Sequence, residues 1–394
     1  MSRPAKVLVI APQPFFTPRG TPFSVYYRTL VTAELGAEVD LLTYGHGEDV
    51  DLPGVRIVRI PRLAFLGEPP IGPSFLKLFL DGLLLLWTLA MLIRRRYDFV
   101  HAHEEVVFYC RFLKPIFGFR LVYDMHSSLP EQLTNFHFTK SRLLIGIFRS
   151  LESQALRVAD VVITICPTLT KYALGKIDDP SRHFLIENSI FDPVRFARDV
   201  DSQDERSAAL GLPEGARRIV YTGTLEPYQG IELLVRAFDL VRNEVPDVHL
   251  IVVGGSAKQI EHYVGLAREL GLEASTLFTG RVSPNAAQAI SAQADLLVSP
   301  RTEGTNTPSK IYHHLASGIP LVATDIESHT QVLDASVAFL VRPDPDALAR
   351  GLVAGLTDEV ARSGKISAAK QLYETKYSKR SYVEKMRAVL EKIR

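Results

Sequence analysis

Residues 294–325, ADLLVSPRTEGTNTPSKIYHHLASGIPLVATD, run as strand, loop, helix and strand again. An apolar, β-rich run ends at Ser299, small polar residues continue to Pro308, a helix begins near Ser309, and IPLVATD is a second strand. Ahead of this stretch, RRIVYTG, VHLIVVGG and TLFTG repeat the scheme, each followed by a helical or turn segment. The first half of the chain alternates in the same way. KVLVI leads into SVYYRTLVTAEL, which has apolar residues at helical spacing and stops at Gly36. VDLLTY, VRIVRI, DFVHAH, RLVYDMH, DVVITI and HFLIENS then read as strands with helical stretches among them. Such alternation predicts an α/β chain of parallel sheets covered on both faces.

The length of 394 residues favours more than one core. The stretch FDPVRFARDVDSQDERSAALGLPEG is polar, charged and turn-rich, as a linker should be. The expected organisation is a domain over 1–191, a linker over 192–215, a second domain over 216–372 and a C-terminal segment over 373–394. In that last segment Val383, Met386, Leu390 and Ile393 share one helical face that needs a partner surface. Ligands of open parallel sheets bind at the carboxyl ends of the strands, so a cleft between two such domains is the expected site.

Forty-five basic and 44 acidic residues nearly cancel, which removes the electrostatic case for a nucleic-acid partner. Cys110 and Cys166 are read as small buried side chains in a reducing compartment. The start, MSRPAKVLVIAPQP, enters a strand directly, so a cytoplasmic location is expected. Residues 75–96, FLKLFLDGLLLLWTLAMLIRRR, are apolar from Gly82 to Ile93 and end in three arginines. A membrane span needs about 20 apolar residues, and Lys77 and Asp81 interrupt this one. It is read as a helix packed on a sheet, or as an interfacial helix with arginines at lipid phosphates; both hold if its two faces differ.

GTLEPYQG, residues 223–230, is a glycine-bounded turn between RRIVY and IELLVRAF. A turn of this kind at a strand-to-helix junction suits a phosphate, yet it contains no lysine or arginine. Arg301 and Lys310 are the candidates for the missing charge, flanking the amides and hydroxyls of Thr305, Asn306 and Thr307 at a helix N-terminus. A cation in the first helical turn opposes the helix dipole by roughly 0.3–1 kcal/mol. A ligand anion therefore explains Lys310 better than helix stability does, the alternative being a lysine that reaches into solvent.

In the first loop, APQPFFTPRGTPFSV, Gly20 permits close backbone approach, Thr21 and Ser24 are candidate helix caps, and Arg19 adds a charge; an ordinary proline-stiffened loop is the alternative. His126 ends the strand LVYDM beside Ser127 and Ser128, where an imidazole can donate to a substrate oxygen. His101 and His103, next to Glu104 and Glu105, are expected to face opposite sides of their strand and so not to share a metal.

In this order the motifs resemble those of the retaining glycosyltransferases of family 4, with the GT-B fold of two facing Rossmann-like domains. IENSIFDPVRF is similar to the family's PNGVD..F, GTLEPYQGIELLVRAF to GRL...KG...L..A, and HHLASGIPLVATD to EAMA.G.PVV.., while Gly20 and His126 match the first loop and a strand-ending histidine. The resemblance implies transfer of a hexosyl group from a nucleotide diphosphate sugar of the UDP or GDP type, with retention, no metal, and no cofactor besides the donor. The nucleotide would lie on the C-terminal domain and the acceptor on the N-terminal one. The final helix would cross back to the N-terminal domain, His126 would contact the transferred sugar, and the departing phosphate would deprotonate the acceptor hydroxyl.

The chain also departs from the family. The donor-binding arginine and lysine fall on Thr224 and Gln229, and the paired glutamates on Thr305 and His313, with Glu303 two residues out of register. A rebuilt diphosphate site is expected: catalytic His126, Lys310, Arg301 and Glu303, and donor-binding Gly20, Thr21, Gly223, Thr224, Gln229, Thr305, Asn306, Thr307 and His313, with Arg19 closing from the other domain. Phe15, Phe16, FYCRFLKPIFGFR and RLLIGIFRS make the N-terminal half apolar with scattered arginines. They suggest a lipid or lipid-linked glycan acceptor at an anionic membrane surface, on the inner face of the cell membrane. The competing function is a sugar-nucleotide or glycolipid binding protein with reduced catalysis. A dinucleotide-dependent oxidoreductase lacks its GxGxxG ahead of the first helix.

Overall fold

The computed structural model describes residues 3–17, 20–62, 67, 69, 74–130, 141–189 and 215–394. They form two compact units. One draws on the segments up to Asn188 and on Tyr382–Arg394, the other on the described residues from Ser189 to Ser381. The greater part of the expected linker lies outside the described residues.

In the first unit, seven strands form one parallel sheet: β1 (Lys6–Ala11), β2 (Glu38–Thr43), β3 (Val55–Arg59), β4 (Phe99–His103), β5 (Arg120–Met125), β6 (Val161–Thr164) and β7 (His183–Leu185). Their order is β3-β2-β1-β4-β5-β6-β7. Every residue of β4 and β6 is buried, as expected for parallel strands covered on both faces, which read as continuous apolar runs rather than alternating ones. In the second unit, β8 (Arg217–Thr222), β9 (Val248–Val253), β10 (Thr276–Gly280), β11 (Leu296–Ser299), β12 (Leu321–Thr324) and β13 (Phe339–Val341) are ordered β10-β9-β8-β11-β12-β13, again all parallel. Strand order reverses between β1 and β4 and between β8 and β11, so the carboxyl ends of those four strands are where each Rossmann-like unit can hold a ligand.

In the first unit α1 (Gly20–Glu34) follows the first loop, and α2 (Phe75–Arg94), α3 (Val107–Phe117) and the helix Arg142–Val158 form a neighbouring group. Ser74 caps α2 by accepting from the Lys77 amide at 3.2 Å. Its inner face, Leu80, Leu84, Met91 and Leu92, joins the core, while Phe75 is 81% and Ile93 74% exposed on its outer face. By length and composition α2 could cross a bilayer, yet one face is committed to the sheet. Asp81 is built into that inner side. It accepts from the Tyr44 hydroxyl at 2.5 Å, and burial, with the Glu105 charge, pushes its carboxyl up to about 8. The Thr88 and Tyr109 hydroxyls, 3.2 Å apart, join α2 to α3, and the rings of Phe108 and Phe148 join α3 to the helix Arg142–Val158. Phe112 and Ile116 on α3, and Leu143, Leu144 and Ile147 on the next helix, continue the exposed apolar surface.

The helix Lys379–Ile393 supplies the last segment of the first unit, burying Tyr382, Met386, Val389, Leu390 and Ile393. Lys385 pairs with Glu187 and Lys392 donates to the Ser181 hydroxyl at 2.9 Å.

Candidate functional site

In the second unit, the switch point between β8 and β11 is built by the two loops that follow those strands. Gly230 closes the GTLEPYQG loop at φ 74° and begins the helix Ile231–Glu244. A Cβ there would stand 2.0 Å from the Pro300 carbonyl oxygen, so only glycine lets the loops approach this closely. The Thr302 amide donates to the Tyr228 carbonyl at 2.9 Å and completes the seam. Inside it, the buried Tyr221 hydroxyl donates to the Thr224 carbonyl at 2.6 Å and faces Gln229 Oε1 at 3.5 Å.

Lys310 opens the helix Lys310–Ser317 and reaches back to this seam. Its Nζ donates to the Thr222 carbonyl at 3.0 Å and lies 3.9 Å from the centre of the Tyr221 ring. Gly223 is beside it: a Cβ there would be 3.5 Å from Nζ. Arg301 covers the Tyr228 ring at 5.0 Å and donates from Nη1 to the Asn306 carbonyl at 2.8 Å, while its buried Nε has no partner among the described residues. Burial, with the Arg301 charge added, draws the Lys310 amine well below the ordinary lysine range. Among the described residues neither cation has a carboxylate partner; their contacts are carbonyls, the Tyr228 phenol and aromatic rings.

The other expected residues of this unit are dispersed. Thr307 is buried with its hydroxyl unpaired among the described residues, and Thr305 is exposed, its carbonyl accepting from Gln331 at 2.5 Å. Glu303 is exposed, and His313 is half-buried, with its pKa lowered by burial. His329, which no sequence motif marks, is fully buried and fixes the ends of β11 and β12, with Nε2 2.9 Å from the Ser299 hydroxyl and Nδ1 donating to the Thr324 carbonyl at 2.8 Å. Burial brings its pKa to about 4, so it bonds as a neutral ring.

In the first unit, His126 at the end of β5 belongs to a buried cluster. Its Nε2 is 2.9 Å from His103 Nδ1 and 3.5 Å from Asp124 Oδ1. His101 Nε2 bonds Asp124 Oδ2 at 3.0 Å, and Arg28 of α1 donates from Nε to the same oxygen at 2.6 Å. Arg28 also donates to the Tyr382 hydroxyl and the Ile186 carbonyl, each at 2.8 Å, so one fully buried guanidinium ties α1, β5, the end of β7 and the last helix together. Burial disfavours the charged carboxylate, yet Arg28, His126 and the bond from His101 hold Asp124 well below the usual range. Burial keeps His103 well below the ordinary histidine value and His126 down to about 4.

Two expectations are overturned in this unit. His101 and His103 do not face opposite sides of their strand: they stack with ring centres 4.7 Å apart, because residues two apart on a strand share a face. The ligand atoms of His101, His103 and Asp124 do lie within 4.8 Å of one another, a grouping that could hold a metal ion, but the Arg28 guanidinium already occupies the cationic position on Asp124. Thr21 and Ser24 do not precede the helix; both lie within α1, and Ser24 is buried. Gly20 starts α1 in open space, where an added Cβ would meet nothing within 4 Å, and Arg19 lies outside the described residues.

Both units have counterparts among known proteins. Residues 216–358 match the family described as glycosyl transferases group 1, and residues 29–188 match the glycosyl transferase 4-like domain. A phosphatidyl-myo-inositol mannosyltransferase of Mycobacterium tuberculosis is 31% identical over 202 residues, covering 49% of this chain and 52% of that protein. The chain therefore spans about half the length of this curated relative. Among solved structures, the sucrose-phosphate synthase of Thermosynechococcus elongatus superposes with a TM-score of 0.74 at 20% identity, with 98% of each chain covered. HepE of Anabaena, in complex with UDP and glucose, superposes at 0.73 and 15% identity, covering 98% of this chain and 99% of that one. At these identities the likeness shows a shared fold.

Proposed function

The chain belongs to the group 1 glycosyltransferases, with a 4-like N-terminal unit, and from that membership we propose that it moves a sugar from a nucleoside diphosphate donor to an acceptor hydroxyl with retention. One observation carries the reading. Lys310 and Arg301 converge on the β8/β11 switch point with no carboxylate beside them among the described residues. A half-buried amine and a neighbouring guanidinium without counter-charge disfavour the empty site, and a diphosphate supplies the missing anion. As the glycosidic bond breaks, negative charge grows on the leaving diphosphate; these cations and the loop amides stabilise it in place of a divalent ion. The departing phosphate takes the proton of the incoming hydroxyl, and His126 contacts the transferred sugar.

The UDP in the HepE structure supports a uridine or similar donor, and the inositol lipid in the mycobacterial relative's name supports a lipid or lipid-linked acceptor. The exposed apolar faces of α2, α3 and the helix Arg142–Val158 suit the surface from which such an acceptor is drawn. Arg111, lying 4.3 Å over the Phe112 ring, and Arg94 at the end of α2 suit anionic headgroups at that surface, on the cytoplasmic side.

The test is a donor screen: purified protein with UDP-, GDP- and ADP-sugars, with and without vesicles that carry phosphatidylinositol, followed by release of free nucleoside diphosphate. Release from one donor that is lost in Lys310→Met is the expected result. Binding of nucleotide without release under every condition would replace a transferase with a sugar-nucleotide binding protein.

A further inference from the structure

The side-chain bonds that join the ends of β11 and β12 have directions that can be read one from another. His329 lies on the short helix Glu327–Thr330 that follows β12. Its Nδ1 is 2.8 Å from the Thr324 carbonyl and 3.1 Å from the Thr324 hydroxyl, and its Nε2 is 2.9 Å from the Ser299 hydroxyl. Burial, aided by the Lys310 and Arg301 charges, outweighs the bond to Thr324 and keeps this ring neutral at pH 7, so it carries one proton. A carbonyl only accepts, and the proton therefore lies on Nδ1. Nε2 is then a bare acceptor, to which the buried Ser299 hydroxyl donates. The Thr324 hydroxyl, faced by an N–H, directs its own proton to the Arg301 carbonyl. With the histidine proton on Nε2 instead, a bare Nδ1 would oppose the lone pairs of the Thr324 carbonyl and would draw the Thr324 hydroxyl proton away from Arg301.

We infer that His329 and Thr324 are positioning residues for Arg301: the Nδ1–H imidazole sets the direction of the Thr324 hydroxyl, and that hydroxyl fixes the peptide from which the Arg301 side chain starts. The inference rests on the diphosphate reading for the ligand that Arg301 meets, but not for the arrangement itself. The same stretch of backbone is held from its other side as well. The Thr302 amide donates to the Tyr228 carbonyl at 2.9 Å, and Gly230 lets the Pro300 carbonyl lie against the opposite loop. From this anchored start the guanidinium covers the Tyr228 ring at 5.0 Å and reaches the Asn306 carbonyl at 2.8 Å. It also packs on Gly304, where an added Cβ would stand 2.9 Å from Cζ. A guanidinium whose backbone is fixed on both sides loses less freedom when it takes up an oxyanion, so the arrangement serves affinity by preorganisation and adds no charge of its own.

The test uses the full chain labelled with 15N at histidine and arginine. In long-range 1H–15N correlation at pH 7, His329, assigned by its loss in His329→Gln, should show a protonated Nδ1 and a bare Nε2, the reverse of the form that predominates in free histidine. A protonated Nε2 overturns the inference. The Nε–H signal of Arg301, assigned by its loss in Arg301→Met, should show restricted motion by 15N relaxation in the wild type and averaging in Thr324→Val, a near-isosteric change that removes the hydroxyl. Equal order in the two proteins also overturns the inference, and neither reading needs a ligand or turnover. For the ligand, titration with UDP and with GDP should give a dissociation constant about tenfold higher in Thr324→Val than in the wild type, most of it regained in Thr324→Ser. Added to Arg301→Met, Thr324→Val should change that constant by less than about twofold. A tenfold loss that persists in the Arg301→Met background would mean that Thr324 acts through the fold and not through Arg301, and would overturn the inference. Wild-type affinity in Arg301→Met would instead remove the diphosphate reading, with the two resonances still deciding the arrangement.

Discussion

The ammonium of Lys310 lies 3.9 Å from the centre of the Tyr221 ring, pressed against a π face and a carbonyl instead of a carboxylate. A cation held in this way is a poor contributor to stability and a good receiver of an anion. Lys310→Met should lower donor turnover by roughly 100- to 1,000-fold. The same change should raise stability by about 1 kcal/mol, or roughly 2–4 °C in Tm for a unit of this size. Donor hydrolysis and calorimetry on one preparation check both; a fall in Tm would mean that the lysine serves the fold.

The pH dependence of donor binding follows from the same group. In the free protein the Lys310 amine titrates well below the ordinary lysine value, chiefly from burial and then from Arg301. A bound diphosphate raises that value, so between the two pKa values binding takes up a proton. Affinity for a nucleoside diphosphate should therefore weaken as pH rises from the pKa of the free protein toward that of the complex, and level off above it. Calorimetric titration in buffers of different ionisation heat should report the uptake, and Lys310→Met should abolish it.

Gly230→Ala tests the seam. The added carbon would stand 2.0 Å from the Pro300 carbonyl at a residue with φ 74°, so the two loops must separate. Stability should fall by more than about 1 kcal/mol, and nucleotide affinity should fall with it. Nucleotide affinity retained at wild-type strength would show that the diphosphate does not lie between these loops.

Asp124→Asn leaves the fully buried Arg28 without its counter-charge and should cost about 3–5 kcal/mol in stability. Asp124 has a folded pKa held well below its unfolded value, so its contribution is complete above about pH 4 and is lost as the pH falls toward the folded value. Acid unfolding of the wild type should be correspondingly steep, and that of Asp124→Asn shallower over the same range.

For the helical face, Phe75→Ser together with Phe79→Ser should reduce sedimentation with anionic vesicles by tenfold or more, since each change removes roughly 1.5–3 kcal/mol of apolar contact. Both residues are exposed on α2, so Tm should be unchanged. Equal vesicle binding by the variant and the wild type would assign that surface to something other than lipid.

The parallel sheets are legible in the sequence because their strands are β-branched and buried on both faces. KVLVI, DFVHAH and VHLIVVGG need no tertiary context. β13 is not legible, since Phe339–Val341 is three residues long and owes its extended form to pairing with β12. At the candidate site, Lys310 stands out as a cation at the wrong end of a helix, and the reading of Arg301 as its companion agrees with their shared surroundings at Tyr221 and Tyr228. Arg28 does not stand out. Its partners Asp124 and Tyr382 are 96 and 354 positions away, and no local period marks such a pairing. The histidine stack follows from the strand period of two once that period is applied correctly, but the carboxylate its members share comes from the next strand and is visible only when β4 and β5 lie side by side.

The bond between Arg28 and the Tyr382 hydroxyl also orders events during synthesis. The first unit cannot be finished when its sheet has emerged from the ribosome, because a buried guanidinium in its first helix waits for a phenol that is translated after the whole second sheet. Until then the guanidinium has Asp124 as its counter-ion but lacks its phenolic acceptor, and the residues that Tyr382, Met386, Val389, Leu390 and Ile393 pack against are uncovered. Completion of the first unit is thereby tied to synthesis of Tyr382 and the helix that carries it.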